Sequence, residues 1–207
     1  MAYDLEEQEQ LDEFKAWWKQ HGKLISRAFL ALLVAYVTYQ AWHYYQNKQS
    51  LAGSSLYQEL VVSDQKDLTT IQAKSATLMD DYSGTPYAGR AALLAAKANY
   101  QAKQVKSAKA QLEWAAKHAS ETSVAALATL QLASILVEEK DLKAALDLLN
   151  TSHDAGFDGL FADLKGDVLA GLGKNAEAKA AYQEALDKLD PAGKMRALTQ
   201  KKLESVA

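Results

Sequence analysis

From Ala28 to Asn47 the chain carries no Asp, Glu, Lys or Arg, and Ala28 to Tyr45 is mostly apolar. An α-helix rises about 1.5 Å per residue, so about 20 such residues cross the hydrocarbon layer of a bilayer. The window Leu24 to Tyr45 therefore predicts one transmembrane helix over residues 24–45. Trp17 and Trp18 precede the run, and Trp42, Tyr44 and Tyr45 close it, as interfacial anchors do. A cleaved signal peptide has a shorter apolar core, of about 7 to 15 residues, followed by a small-x-small cleavage site. Here the run ends in bulky rings, so it reads as an uncleaved anchor. The alternative, a buried helix of a soluble bundle, does not account for the rings at both ends.

The flanks set a direction. Residues 1–13 hold Asp4, Glu6, Glu7, Glu9, Asp12 and Glu13 and no base, whereas residues 15–27 hold Lys15, Lys19, Lys23 and Arg27 and no acid. Beyond the run comes Lys48 and then no base before Lys66. The excess of bases ahead of the span predicts a cytoplasmic N-terminus. In a bacterium with two membranes, residues 1–23 form a cytoplasmic tail, acidic then basic, and residues 46–207 lie in the periplasm. The tail, with Leu5, Leu11 and Phe14 among its charges, is either a short amphipathic helix or disordered. Anionic membrane lipid repels its first thirteen residues and attracts Lys15 to Arg27. Within the span, Ala28, Ala31 and Ala35 make a small-residue stripe that permits close approach by another membrane helix. Thr38, Gln40 and His43 offer hydrogen bonds across such a contact.

After the anchor the pattern is helical throughout. The chain has 38 Ala against 2 Pro, and Ala loses no side-chain entropy in a helix. Leu56, Tyr57, Leu60 and Val61, then Leu68, Ile71, Ser75 and Leu78, keep the spacing of one helical face. Thr85-Pro86 predicts an N-cap and first helical residue. Further breaks fall at residues 119–123, 150–159, 171–175 and 190–191, and no alternating strand with hairpin chemistry occurs. The segment Ala162 to Pro191 carries a tetratricopeptide-repeat pattern. Gly166 stands where two helices cross, Gly173 in the turn, and Ala178, Tyr182 and Ala185 on the second helix. Ala145, Leu149 and Ser152 repeat the last three 33 residues earlier, and Ala108, Leu112 and Ala115 a further 37 earlier. Their first helices offer Leu132, Ala133 and Leu136, and Ala92, Ala95 and Ala96. Three such units suffice to stack into a superhelix. Residues 49–86 read as a degraded fourth unit, and Met195 to Val206 as a closing helix. The expected fold is all-α: a single N-terminal transmembrane helix, then a tetratricopeptide-repeat-like superhelix of helical hairpins. A generic Ala-rich bundle is the alternative.

Little in the sequence suggests chemistry. With Cys 0 there is no zinc ribbon, disulfide scaffold or thiol nucleophile, and a net charge of −3 does not favour a nucleic-acid binder. His21, His43, His118 and His153 are scattered and form no metal-ligand motif, and Gly166, Gly171 and Gly173 match no phosphate loop. The acid pairs Asp80-Asp81 and Glu138-Glu139 fall at helix ends and read as solvated surface. We therefore expect no catalytic residue, no cofactor, no metal and no enzyme activity. What remains is surface. The first helices of the units line a concave face with Arg90, Leu93, Lys97 and Tyr100, then Leu127, Leu130, Ser134 and Val137, then Leu160, Asp163 and Asp167. Its apolar middle between a basic and an acidic end suits an apolar polypeptide segment whose direction is set by charge. Burial of the leucines against neighbouring helices is the alternative.

The acidic tail, the run Ala16-Trp17-Trp18-Lys19-Gln20-His21-Gly22-Lys23, the single span, and Gly156-Phe157-Asp158-Gly159-Leu160-Phe161-Ala162-Asp163-Leu164-Lys165-Gly166-Asp167-Val168 together resemble the YfgM family. Its members are ancillary subunits of the bacterial SecYEG translocon. The resemblance covers the full length and is most specific over Ala162 to Leu186. It implies an inner-membrane protein with a periplasmic tetratricopeptide-like domain, found with SecYEG and with the periplasmic chaperone PpiD. It also implies a non-catalytic, chaperone-like part in handling translocating polypeptides, and a link to stress signalling through the tail and a cytoplasmic response regulator. Two other functions suit the same layout: an adaptor of another envelope complex, and a signalling protein acting through its tail.

Overall fold

Three turns in the chain repeat one backbone device. Lys103, Lys140 and Gly173 have φ of 63°, 65° and 75°, and each stands just beyond the end of a helix. Behind them Gln104 donates to the Asn99 carbonyl at 2.8 Å, Asp141 to Leu136 at 2.9 Å and Lys174 to Leu169 at 2.9 Å. A left-handed residue followed by this six-to-one bond is the motif that stops a helix and turns the chain back. These three positions stand 37 and 33 residues apart, the same steps as the buried alanines.

The computed structural model describes residues 2–64 and 67–206, with side chains from residue 9 onward. Lys66 and the side chains of Asp4, Leu5, Glu6 and Glu7 lie outside the described residues. The helices are α1 Ala2–Val62, α2 Leu68–Asp81, α3 Pro86–Gln101, α4 Val105–His118, α5 Thr122–Glu138, α6 Leu142–Leu149, α7 Asp158–Gly171, α8 Asn175–Lys188 and α9 Lys194–Ser205, with a 3₁₀ turn at Ala155–Phe157. No strand occurs among the described residues, so the expected all-α class holds. The chain divides into two compact units, Met1–Lys48 and Gln49–Ala207.

In the first unit the residues from Lys23 to Tyr45 are exposed. The most apolar 18-residue window of α1 has a mean hydropathy of 1.4 and buries none of its residues, so this helix is long and apolar enough to cross a membrane. Thr38 donates to the Val34 carbonyl at 2.8 Å, Gln40 to Tyr36 at 3.3 Å, and Asn47 lies 3.0 Å from His43. The polar groups expected to bond across a helix contact thus find partners one turn away. Ala28, Ala31 and Ala35 remain an exposed stripe.

In the second unit α3–α4, α5–α6 and α7–α8 are three helical hairpins. Ala96 meets Leu112 in one core cluster and Ala133 meets Leu149 in another, while a methyl group on Gly166 would overlap the Tyr182 ring. Helix separation follows the sum of the two side chains at the crossing, so the larger Tyr182 requires the smaller partner. The second hairpin is cut short. Helix α6 has 8 residues where α4 and α8 have 14, and Ser152, the counterpart of Ala115 and Ala185, lies exposed beyond its end.

The end of α1 and α2 pack on α3 through Leu60, Ile71, Leu78, Ala91 and Ala95, while Val61 points to solvent with 47 % exposure. Asn99 takes the place held by Leu136 and Leu169 in the later units. It is fully buried and fully bonded: its amide donates to the Ala95 carbonyl and to Gln111, both at 2.8 Å, and its oxygen accepts from Gln72 at 2.5 Å. A buried amide left unbonded would be costly, so this network ties α2 to the first hairpin. Thr85 stands at the N-cap before Pro86 as expected, but its hydroxyl bonds back to the Tyr82 carbonyl at 2.8 Å instead of capping α3.

Candidate protein-binding groove

Helices α3 and α5 run side by side, and their outward faces enclose a groove of about 700 Å³. Six of the residues expected on the concave face line it: Arg90, Leu93, Lys97 and Tyr100 from α3, and Leu127 and Ser134 from α5. Tyr57, Gln131 and Glu138 join them, and the spacing of first-helix residues did not indicate these three. Tyr57 comes from the end of α1, outside the three regular units. Gln131 and Glu138 share the α5 face one turn apart from Leu127 and Ser134.

Three of the cations and hydroxyls in this groove are already engaged. Arg90 grips Glu121 through two hydrogen bonds of 2.7 Å, which hold the Glu121 carboxyl below its ordinary pKa and raise that of the guanidinium. Tyr100 donates to the Glu138 carboxylate, which raises the pKa of the phenol. Both bonds join α3 to α5 or its cap and fix the groove's width. Ser134 turns inward and donates to the Leu130 carbonyl at 2.9 Å. Lys97 is exposed and has no ion pair among the described residues. Leu127 is 37 % exposed. The groove therefore offers an apolar floor, one available ammonium and the amide of Gln131, which suits an apolar segment bearing an acidic or carbonyl group.

The remaining expected residues lie elsewhere. Leu130 is 8 % exposed and sits in the core beneath α5, with Val137 and Leu160 packed against the same cluster. Asp163 is 4 % exposed and Asp167 half-buried, because α9 lies over them. Lys202 reaches both carboxylates at 2.7 Å, Thr199 donates to Asp163 at 2.7 Å, and Tyr182 donates to Asp167 at 2.9 Å. Burial alone would lower the Lys202 pKa, but the bonds from Asp163 and Asp167 outweigh it and the net shift is upward. The acidic end of the face is thus joined to the closing helix, leaving the α3–α5 part open.

The Glu138-Glu139 pair is not idle surface either: Glu139 receives Lys109 at 2.6 Å and so joins α4 to the turn after α5. His153 stacks on Phe161 with ring centres 3.6 Å apart. A larger cleft, about 1210 Å³, opens between α4, α5 and α6 where α6 stops at Leu149. Lys109, Glu113, Thr129, Leu132, Leu148 and His153 are among its lining. The polar run Asn150-Thr151-Ser152 is its only trace in the sequence. No three His, Asp or Glu side chains among the described residues are grouped to hold a metal ion.

Residues 15–207 match the family described as a tetratricopeptide repeat-like domain. The chain is 33 % identical to the ancillary SecYEG translocon subunit of Neisseria gonorrhoeae, over the whole of both chains. It is 28 % identical to the protein of that name from Haemophilus influenzae, covering 89 % of this chain and 91 % of the relative. With that of Escherichia coli K12 it shares 24 % identity over 97 % of each.

Proposed function

This chain belongs to the YfgM family of tetratricopeptide repeat-like proteins, and from that premise we propose that it is a non-catalytic, single-pass ancillary subunit of the SecYEG translocon in the bacterial inner membrane. The observation that carries the reading is the 33 % identity running through anchor and repeats alike to a relative of that name. The exposed apolar stretch Leu24–Tyr45 supports an anchor, and the basic residues ahead of it support a cytoplasmic N-terminus, with residues 1–23 inside and 46–207 in the periplasm. The open α3–α5 groove supports capture of apolar segments as they emerge. Anchoring keeps that groove near the membrane, so an emerging chain meets it at a high effective concentration. PpiD is the proposed periplasmic partner. A cytoplasmic response regulator would meet only the acidic tail, so deleting residues 2–13 isolates that role.

Purification in mild detergent, combined with a photo-crosslinking amino acid at Lys97, Leu127 or the distant Lys179 in intact cells, tests the reading. Translocon subunits should co-purify, and exported chains should crosslink from Lys97 and Leu127 but not from Lys179. Recovery of a different envelope complex without translocon subunits would contradict it.

A further inference from the structure

Two stripes lie side by side on α1 ahead of the apolar run. Trp18, Gly22 and Ser26 are spaced four apart, and Lys19, Lys23 and Arg27 follow them one residue later at the same spacing. Residues four apart share a helix face, and sequence neighbours are turned by about 100°. A row of cations therefore runs beside a row that is aromatic, then bare, then hydroxylated.

The bare position makes a notch. Gly22 is buried under the Trp18 indole, and a Cβ added to it would come within 3.0 Å of that ring. Trp18, Lys19, Gly22, Lys23, Ser26 and Arg27 line a depression of about 480 Å³. Lys15 pairs with Asp12 at 2.9 Å, but Lys19, Lys23 and Arg27 form no ion pair among the described residues. No Asp or Glu occurs between Glu13 and Glu59.

We infer that this notch binds one anionic glycerophospholipid. The phosphodiester oxygens accept hydrogen bonds from Lys19, Lys23, Arg27 and the Ser26 hydroxyl, and the glycerol region lies against Trp18 over Gly22. A lipid is the occupant, and not a free phosphate, because Ile25 and Phe29, three and seven residues beyond Gly22 and so on its side of the helix, are exposed apolar side chains that acyl chains cover. The cations are spread over nine residues, about 12 Å of helix rise, more than one phosphate fills. A lipid with two phosphates, diphosphatidylglycerol, therefore binds more tightly than phosphatidylglycerol. General attraction between a basic flank and an anionic surface needs no glycine; this site does.

The inference rests on the reading of Leu24–Tyr45 as a membrane span, and the test separates the two. The full chain is reconstituted into phosphatidylcholine bilayers doped with diphosphatidylglycerol or phosphatidylglycerol at equal charge. Integration is scored by resistance to alkaline carbonate, and retained lipid is then counted by native mass spectrometry. The wild-type chain should retain the diphosphate lipid most, each Lys→Gln or Arg→Gln change at 19, 23 or 27 should lower retention about fivefold, and millimolar inorganic phosphate should not compete. Gly22→Leu keeps every charge and fills the notch, so its retention should fall toward that of the triple charge variant. An extracted chain would overturn the span. An integrated chain whose Gly22→Leu variant retains lipid like the wild type, or whose lipid is displaced by inorganic phosphate, would overturn the site alone.

Discussion

Two stretches of this chain are apolar and free of charge, and they meet opposite fates. Residues 28–45 of α1 are exposed along their whole length, whereas α5, uncharged from Thr122 to Val137, buries Ala126, Ala128, Thr129, Leu130, Leu132, Ala133 and Ile135. Length separates them first: sixteen uncharged residues rise about 24 Å, short of a bilayer's hydrocarbon layer. Composition separates them next. The C-terminal end of the exposed stretch is closed by Trp42, Tyr44 and Tyr45, which suit a lipid interface. Helix α5 instead alternates small and large residues that let α4, α6 and α7 approach, and its two ends are held by Glu121 to Arg90 and Glu138 to Tyr100. Hydrophobicity alone does not decide burial; what can pack against it does.

The sharpest way to break this contrast is to place a carboxylate in each stretch. Ala133→Asp should abolish the cooperative melt of the repeat domain, a loss of about 4 kcal/mol or more, because no partner is within reach of the buried charge. Leu33→Asp should leave that melt unchanged and reduce membrane integration, by about 3 kcal/mol of insertion free energy. Circular dichroism and carbonate extraction read the two effects separately.

Within α5 itself, Leu130→Ala should cost about 3 kcal/mol in denaturant unfolding, since it empties a packed site. Leu127→Ala should cost less than about 1 kcal/mol and instead weaken crosslinking to exported chains, because its side chain faces the groove. Equal stability losses at the two positions would remove Leu127 from the groove.

Gly166→Ala should destabilise the third hairpin by about 2 kcal/mol through overlap with Tyr182. Adding Tyr182→Leu recreates the small-and-Leu crossings at Ala96/Leu112 and Ala133/Leu149, so the double variant should recover part of the loss. A double-mutant cycle in urea measures the coupling.

Alkaline pH tests the closing helix. The Lys202 pKa is raised on folding, so its contribution to stability is complete below the unfolded value near 10.5 and disappears as pH climbs through the higher folded value. Tyr182, whose phenol pKa is pushed up by burial and then by its bond to Asp167, acts in the same direction. The melting temperature should hold to about pH 10 and then fall, and Lys202→Met should flatten part of that fall.

The smallest effects sit in the turns. Lys103→Gly and Lys140→Gly should each stabilise by up to about 1 kcal/mol, since glycine adopts positive φ without the cost a Cβ brings. The same change at the exposed Lys143, inside α6, should destabilise by a similar amount.

These turns also mark where the sequence stops being informative. The 33 and 37 residue steps were legible because small residues at helix crossings leave a pattern, and Ala108, Leu112, Ala115, Ala178, Tyr182 and Ala185 are all buried as that pattern requires. The left-handed lysines left none, because the turn is imposed by the packed helices and not by the residue's own preference. Repeat spacing placed Arg90, Leu93, Lys97, Tyr100, Leu127 and Ser134 on one groove, since first-helix faces follow from period alone. It could not show that Leu130 faces the core, nor that Asp163 and Asp167 are taken by Lys202 and Thr199. Those partners come from α9, which belongs to no complete unit.

The account's central claim is that Leu24–Tyr45 crosses the membrane and leaves the repeats outside. The chain has Cys 0, so single cysteines report without background. Gln10→Cys and Ser107→Cys variants are treated with a membrane-impermeant maleimide in spheroplasts, before and after lysis. The account predicts that the cysteine at position 107 labels in intact spheroplasts and the one at position 10 only after lysis. The opposite pattern, or equal labelling of both before lysis, would contradict it.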